Sequence, residues 1–210
     1  MIRVLVADDH PLVRSGLRHV LSKELDFGPP GEAKDSEELL VQLKEQTWDA
    51  LVLDIAMPGP SGLESLAEIR RIYPDLPVLI LSVFPEELFA VRAIRSGASG
   101  YLTKSDAPAE LVKAIRCIVG GRKYVSAITA EALANVVRSG TNKISHELLS
   151  DREFQVMRRI AAGKTVSEIA SEIGLSVKTV STYRARALEK LNMRTNSQFT
   201  EYAIRSGLVG

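Results

Sequence analysis

Residues 2–7 (IRVLVA), 50–53 (ALVL), 78–81 (VLIL) and 100–103 (GYLT) are short runs rich in Val, Leu and Ile, each bounded by polar, glycine or proline residues. Near-continuous apolar runs of this length fit strands buried on both faces. Between them lie patterns of helical period: Leu12, Leu17, Val20 and Leu21, then Leu39, Leu40 and Leu43, then Leu63, Leu66 and Ile69. Leu88, Val91 and Ile94 mark a fourth helix, and Leu111, Ile115 and Ile118 a fifth. Buried strands that alternate with amphipathic helices close as a doubly wound parallel sheet with right-handed crossovers.

In a parallel sheet all strands end on one edge, the edge where open α/β sheets bind ligands. The runs are closed by the pair Asp8-Asp9, by Asp54, by Ser82 and by Lys104, so these residues are expected to meet. Three carboxylates crowd together fully ionised only if a cation offsets their repulsion, and hard oxygen ligands suit Mg²⁺. Lys104 adds a fixed positive charge. A phosphoryl group entering such a pocket would share its equatorial oxygens among metal, ammonium and hydroxyl while a carboxylate attacks in line. Asp54 is the natural attacker, because the Pro/Gly turn after it (IAMPGPSG) would hold the backbone of Ala56 near the metal.

The segments ADDHP, LVLDIAMPGPSGLE, LILS and GYLTK, in this order and spacing, resemble the receiver domain of bacterial two-component response regulators. The resemblance implies that Asp54 is the phosphoacceptor, Asp9 a direct metal ligand, Asp8 a ligand through a metal-bound water and the Ala56 carbonyl the third protein ligand. It makes Ser82 the switch hydroxyl, Tyr101 the aromatic that swings with it, and Lys104 the partner of the phosphoryl group. It also implies the strand order 2-1-3-4-5, in which the second strand is an edge. That strand is the weak element, since residues 27–33 (FGPPGEA) contain two prolines that cannot donate to a ladder; it is expected to be short or distorted. Lys104 is followed by Ser105 rather than by the proline that some receivers place there, which leaves the geometry of that peptide open. His10, beside the acid pair, reads as a helix-start residue near the pocket rather than a ligand.

At 210 residues the chain is long enough for two modest domains. Its net charge of +1 conceals an asymmetry: residues 1–125 carry 15 Lys and Arg against 18 Asp and Glu, whereas residues 147–210 carry 10 against 7. An acidic domain joined to a basic one fits a metal-dependent site coupled to a module that meets polyanions. The single cysteine, Cys117 in AIRCIV, excludes an intrachain disulfide and reads as a packed thiol in a reducing interior. No apolar stretch reaches the roughly 18 to 20 residues that span a bilayer, and Met1 leads straight into a strand. A cytoplasmic protein without membrane contact is expected.

After residue 125 the pattern changes. Residues 126–146 read as a linker that begins with a helical extension. Ser150-Asp151-Arg152-Glu153 and Thr165-Val166-Ser167-Glu168 are capping-box sequences, each preceding a helical run. Residues 166–180 fit a helix-turn-helix, with small Ala170 at the crossing, Gly174 in the turn and Val180 anchoring the second helix. Read whole, GKTVSEIASEIGLSVKTVSTYRARALEKLN resembles the LuxR-type DNA-binding domain of the NarL/FixJ response regulators. The expected organisation is a receiver over 1–125, a linker over 126–146 and an all-α four-helix DNA-binding domain over 147–210, whose last helix (197–206) serves dimer contacts on DNA by that resemblance.

At 100° per residue, Val180, Ala187 and Leu191 fall on one side of the recognition helix, with Leu188 nearby, and Lys178, Ser181, Thr182, Ala185 and Glu189 on the other. Ser181 and Thr182 suit base edges. Lys178 and Thr179, at the helix start, suit phosphate oxygens, and Arg186, on a flank of this face, and Arg184, nearer the core, read as phosphate clamps rather than base readers. The function expected is a transcriptional response regulator switched by Mg²⁺-dependent transfer of a phosphoryl group to Asp54 from a sensor histidine kinase or phosphotransfer protein, binding a double-stranded operator as a homodimer. It would be a switch rather than a turnover enzyme. A phosphatase of the haloacid dehalogenase type also uses an aspartate nucleophile, but it needs a second acid two residues on, where this chain has Ala56. A receiver that serves only as a dimerisation module is the remaining alternative.

Overall fold

The computed structural model describes the chain apart from residues 56, 58–61, 85, 140–145, 147–148, 207 and 210, and at 62, 64, 87–88 and 135–139 it describes the backbone alone. Contacts divide the chain into two compact units, residues 1–140 and 141–210.

The first unit alternates strands and helices: β1 (Val4–Ala7), α1 (Pro11–Leu21), β2 (Gly31–Ala33), α2 (Ser36–Glu45), β3 (Ala50–Asp54), α3 (Gly62–Ile72), β4 (Val78–Ser82), α4 (Glu86–Arg95), β5 (Gly100–Thr103) and α5 (Ala107–Val119). The strands form one parallel sheet in the order β2-β1-β3-β4-β5, as the family resemblance implies. Side chains alternate across it with the two-residue period of a strand. Val4, Val6, Ala50, Val52, Leu79, Leu81 and Leu102 pack with Leu17 and Leu21 of α1 and with Leu111, Ala114, Ile115 and Ile118 of α5. Leu5, Leu51, Leu53 and Ile80, at the intervening positions, are just as deeply buried. Full burial of each such Leu or Ile contributes about 1.5–3 kcal/mol, and both faces of the sheet are used.

Strand β2 spans three residues at the sheet edge, preceded by a lone bridge between Ile2 and Phe27. Two helices turn differently from the sequence reading. Leu12 is 85% exposed; it lies about 140° around the helix from Leu17, whereas Val13 lies within about 40° and packs on the core instead. On α4 the buried stripe runs through Phe89, Ala90 and Ala93, with Val91 and Ile94 half-buried and the Leu88 side chain outside the described residues. Residues 127–139 of the stretch read as linker form α6 (Ala127–Ser139), which packs against α4.

The second unit holds α7 (Asp151–Ala161), α8 (Val166–Glu172), α9 (Val177–Lys190) and α10 (Asn196–Arg205). Both capping boxes read from the sequence are made, by Ser150 with Glu153 and by Thr165 with Glu168. A third, Thr195 with Gln198, opens α10 one residue before the expected start. Phe154, Val156, Met157, Ile160, Ile169, Val180, Ala187, Phe199 and Ala203 form the core. Gly174, at φ +66°, takes the left-handed conformation that turns α8 into α9.

His146 belongs to this core. Its ring stacks on Phe154 at 5.4 Å, its Nδ1 lies 2.8 Å from the Tyr202 hydroxyl, and its backbone N–H donates to the same oxygen at 3.1 Å. A fragment of residues 141–210 is therefore expected to fold alone. One beginning at residue 147 should melt about 5–10 °C lower, since it loses a hydrogen-bonded aromatic contact worth about 1–2 kcal/mol. Thermal melts followed by circular dichroism decide this, and equal midpoints would show that His146 adds nothing to the unit.

Candidate functional site

The carboxyl edge of the sheet brings the strand-closing residues together. Asp8 follows β1 and extends its ladder, donating its N–H to Ala33 O at 3.1 Å; Lys104 follows β5 and donates its N–H to Ser82 O at 2.7 Å. Asp54 and Ser82 are the last residues of β3 and β4. Asp8, Asp54 and Ser82 have no measurable solvent exposure, while the Asp9 side chain is 28% exposed.

Lys104 Nζ sits 2.7 Å from Asp54 Oδ2 and 2.6 Å from Asp8 Oδ2, so one ammonium links two fully buried carboxylates. Burial alone would lower the Lys104 pKa, but the hydrogen bonds and charges of Asp54 and Asp8 outweigh it and hold the lysine above its ordinary value. His10, the N-cap of α1, places Nδ1 2.7 Å from Asp9 Oδ1 and 3.2 Å from Asp8 Oδ1. The backbone of the acid pair is fixed as well: His10 N–H donates to Asp8 Oδ1 at 2.8 Å and Arg14 donates to Asp8 O at 2.7 Å.

The donor set fits a hard divalent cation. Ligand atoms of Asp8, Asp9, His10 and Asp54 lie within 4.8 Å of one another, and the buried oxygens Asp8 Oδ2 and Asp9 Oδ1 face Lys104 Nζ at 2.6 Å and His10 Nδ1 at 2.7 Å. One ammonium shared between two carboxylates still leaves net negative charge in the pocket. Such oxygens are costly to bury unless a cation meets them. Ala56, whose carbonyl was expected to complete the set, lies outside the described residues.

Ser82 and Tyr101 are joined through one residue. Phe84 N–H donates to Ser82 Oγ at 3.1 Å, and Tyr101 OH donates to Phe84 O at 2.9 Å. The Tyr101 ring is thereby held inside, 2% exposed, rather than out at the sheet edge. The described residues contain no cis peptide, so Lys104-Ser105 is trans.

In the second unit, α9 is capped by Ser176, whose side chain accepts from Thr179 N–H at 3.0 Å. Val180, Ala187 and Leu188 are buried, Leu191 is half-buried, and Lys178, Ser181, Thr182, Ala185 and Arg186 are exposed. Thr179 is half-buried with its hydroxyl 2.7 Å from Ser176 Oγ, and Thr182 Oγ1 donates to Lys178 O at 3.0 Å. Arg184 is half-buried and donates through Nε to Asn196 Oδ1 at 2.6 Å, which ties α9 to the first turn of α10. Two features escaped the sequence reading. Ser176 carries a short hydroxyl at the N-cap without the acid three residues on that marked the other caps, and Thr195-Asn196-Ser197-Gln198 is a capping box in its Gln form.

Comparison with known proteins agrees over both units. Residues 4–116 match the response regulator receiver domain, and residues 147–203 match the bacterial regulatory proteins of the luxR family. The response regulator GacA of Pseudomonas viridiflava is 38% identical over 210 residues, covering 100% of this chain and 98% of that protein. The response regulator UvrY of Escherichia coli (strain K12) is 36% identical over 209 residues, covering 99% and 96%. Among solved structures, RcsB from Salmonella enterica serovar Typhimurium bound to promoter rprA in the presence of phosphomimetic BeF3- has a TM-score of 0.60 at 26% identity, covering 96% of this chain and 97% of that one. A structure of two RcsB dimers bound to two parallel DNAs has a TM-score of 0.59 at 28% identity, covering 97% and 98%. No helix among the described residues is long and apolar enough to cross a membrane.

Proposed function

The chain belongs to the two-component response regulators that join a receiver domain to a LuxR-type helix-turn-helix, and from that membership we propose that phosphorylation of Asp54 switches its binding to DNA. It is a DNA-binding transcription regulator. The observation that carries the phosphorylation reading is the fully buried Asp54 carboxylate, 2.7 Å from the Lys104 ammonium and beside Asp8 and Asp9.

Asp54 attacks the phosphorus of a phosphohistidine on a sensor kinase or phosphotransfer protein; the N–P bond breaks as the O–P bond forms, and the imidazole leaves. Lys104 and Ser82 bind equatorial oxygens of the group in flight. Once Asp54 is an acyl phosphate its own oxygen carries no formal charge, so the Lys104 ammonium moves from Asp54 Oδ2 to the phosphoryl oxygens. Asp8, Asp9, Asp54 and the Ala56 carbonyl would hold Mg²⁺, which supplies neutralisation of the phosphoryl charge. The reaction modifies the protein itself, so the receiver is a switch and not a turnover enzyme. The chain works in the cytoplasm, where kinase and DNA are both within reach.

DNA is read by α9. Ser181 and Thr182 face base edges, Lys178, Thr179 and Arg186 meet phosphates, and Arg184 meets a phosphate through the guanidinium nitrogens that Asn196 does not engage. The unit binds as a homodimer on its operator. The reading is supported by the exposure of Lys178, Ser181, Thr182 and Arg186 on one side of a helix whose opposite side is core.

A salt series separates base reading from phosphate clamping. Thr182→Ala should cost about 1–3 kcal/mol on the selected operator, with little change on unrelated DNA. Lys178→Ala and Arg186→Ala should weaken both DNAs alike and reduce the slope of log affinity against log salt by about one each. If Thr182→Ala weakens both DNAs equally while the lysine and arginine variants keep the full slope, α9 does not enter the groove at this angle.

A further inference from the structure

Between α5 and α6 the chain runs back along the outer edge of β5. Tyr124 N–H donates to Ser99 O at 2.9 Å and Tyr101 N–H donates to Tyr124 O at 3.2 Å, a single parallel bridge beside Tyr101. Lys123 Nζ donates to Ala98 O, and the Tyr124 hydroxyl donates to Glu110 Oε2. Burial and that carboxylate raise the Tyr124 pKa, so the phenol stays a neutral donor. Gly100 permits the approach: a Cβ there would stand 2.9 Å from both Cβ and O of Tyr124.

The strap leads into the first turn of α6, and that turn is held by the first residue of α4. Glu86 Oε1 accepts from Ser126 N–H at 2.9 Å and from Thr129 Oγ1 at 2.8 Å, across 40 and 43 residues of sequence. Glu86 stands two residues after Phe84, whose N–H is bonded to Ser82 Oγ and whose carbonyl is bonded to Tyr101 OH. The Phe84 ring also stacks on Phe89 of α4 at 4.5 Å. One short segment thus carries a bond to the hydroxyl of the phosphoryl site, a bond to a buried aromatic and a two-bond clasp on the helix that precedes the DNA-binding unit in the chain.

We propose that Glu86 is a positioning residue that transmits the state of Ser82 to α6. The proposal rests on phosphorylation at Asp54. A serine hydroxyl has one proton, and Ser82 must turn toward the phosphoryl group to donate it. The Phe84 N–H then follows its acceptor or loses it, and a buried N–H without an acceptor is costly, so the segment moves as a piece. Stacking of Phe84 on Phe89 carries that movement into α4, and with it Glu86 Oε1. Ser126 N–H and Thr129 Oγ1 either follow, which reorients the start of α6, or separate, which frays it.

Amide hydrogen exchange of residues 126–134 in the full-length protein tests this, with and without acetyl phosphate and Mg²⁺, while intact mass reports phosphate on Asp54. The wild type should change its exchange in the first turn of α6 when phosphorylated, by about fivefold, the size of losing or regaining a helix cap. Glu86→Ala and Thr129→Val should take up phosphate to the same extent but lose that response. Glu86→Gln, which keeps the accepting Oε1, should retain it. A residue that merely caps α6 would alter exchange equally in both states and leave the response intact. If both truncating variants respond like the wild type, or the phosphorylated wild type shows no change in α6, the clasp transmits nothing. A wild type that takes up no phosphate overturns the Asp54 reading and the clasp with it.

Discussion

Asp54→Asn is expected to abolish incorporation of acid-labile phosphate while leaving the fold of the receiver in place. The side chain is fully buried at the end of β3, and an amide matches its volume, so packing is preserved. What is lost is the nucleophile, because a neutral amide oxygen does not attack phosphorus at a useful rate. Asp8 and Asp9 remain, but Asp8 already answers Lys104 and Asp9 is turned to His10 Nδ1 at 2.7 Å. The same substitution removes one of the buried negative charges, so Mg²⁺ should bind more weakly, though not vanish. Intact mass after incubation with acetyl phosphate and Mg²⁺ reads the first effect, and the metal dependence of thermal unfolding reads the second. Full labelling of the variant would place the acceptor on another residue.

The residues that gather at the sheet edge were legible because each stands at the end of a buried apolar run, and a parallel sheet brings such ends together whatever lies between them. Asp8, Asp9, Asp54, Ser82 and Lys104 were found that way, whereas the short β2 was expected from Pro29 and Pro30 just before it and its edge position from the family resemblance. Leu12 was misplaced because its size outweighed its angle: Val13, one residue on, has the register of Leu17. The core stripe of α4 was missed where it runs through Ala90 and Ala93, small residues that carry little hydropathic signal yet allow a helix to approach a sheet closely. Contacts that join distant positions left no trace in the sequence. Glu86 with Ser126 and Thr129, or His146 with Tyr202 across 56 residues, depend on how elements pack, and the inward rotamer of Tyr101 depends on one carbonyl at Phe84.

Lys104→Met is expected to have the larger effect on stability and to expose the metal requirement directly. In chelator, Asp8 and Asp54 would lose the ammonium that stands 2.6 and 2.7 Å from them, and both carboxylates are fully buried. Removing one partner of a buried ion pair costs about 3–5 kcal/mol, and the 13% exposure of the Lys104 side chain places the loss toward the lower end. A bound cation would answer the same oxygens, so Mg²⁺ at 100 times its dissociation constant should return about 2.7 kcal/mol. Mg²⁺ must therefore raise the denaturation midpoint of the variant more than that of the wild type. The sign of the pH dependence follows from the raised Lys104 pKa: its contribution is complete below the ordinary lysine value of 10.5 and fades only as pH rises through the higher folded value. The difference between wild type and variant should thus persist at neutral pH and close in strong alkali. The double variant Lys104→Met, Asp54→Asn supplies the control. With one buried charge gone along with its counter-ion, it should recover part of the stability lost by Lys104→Met alone. Denaturant titrations of the four proteins, each with chelator and with Mg²⁺, measure all of these differences. If Lys104→Met unfolds at the wild-type midpoint in chelator, the ammonium does not hold the acidic pocket together.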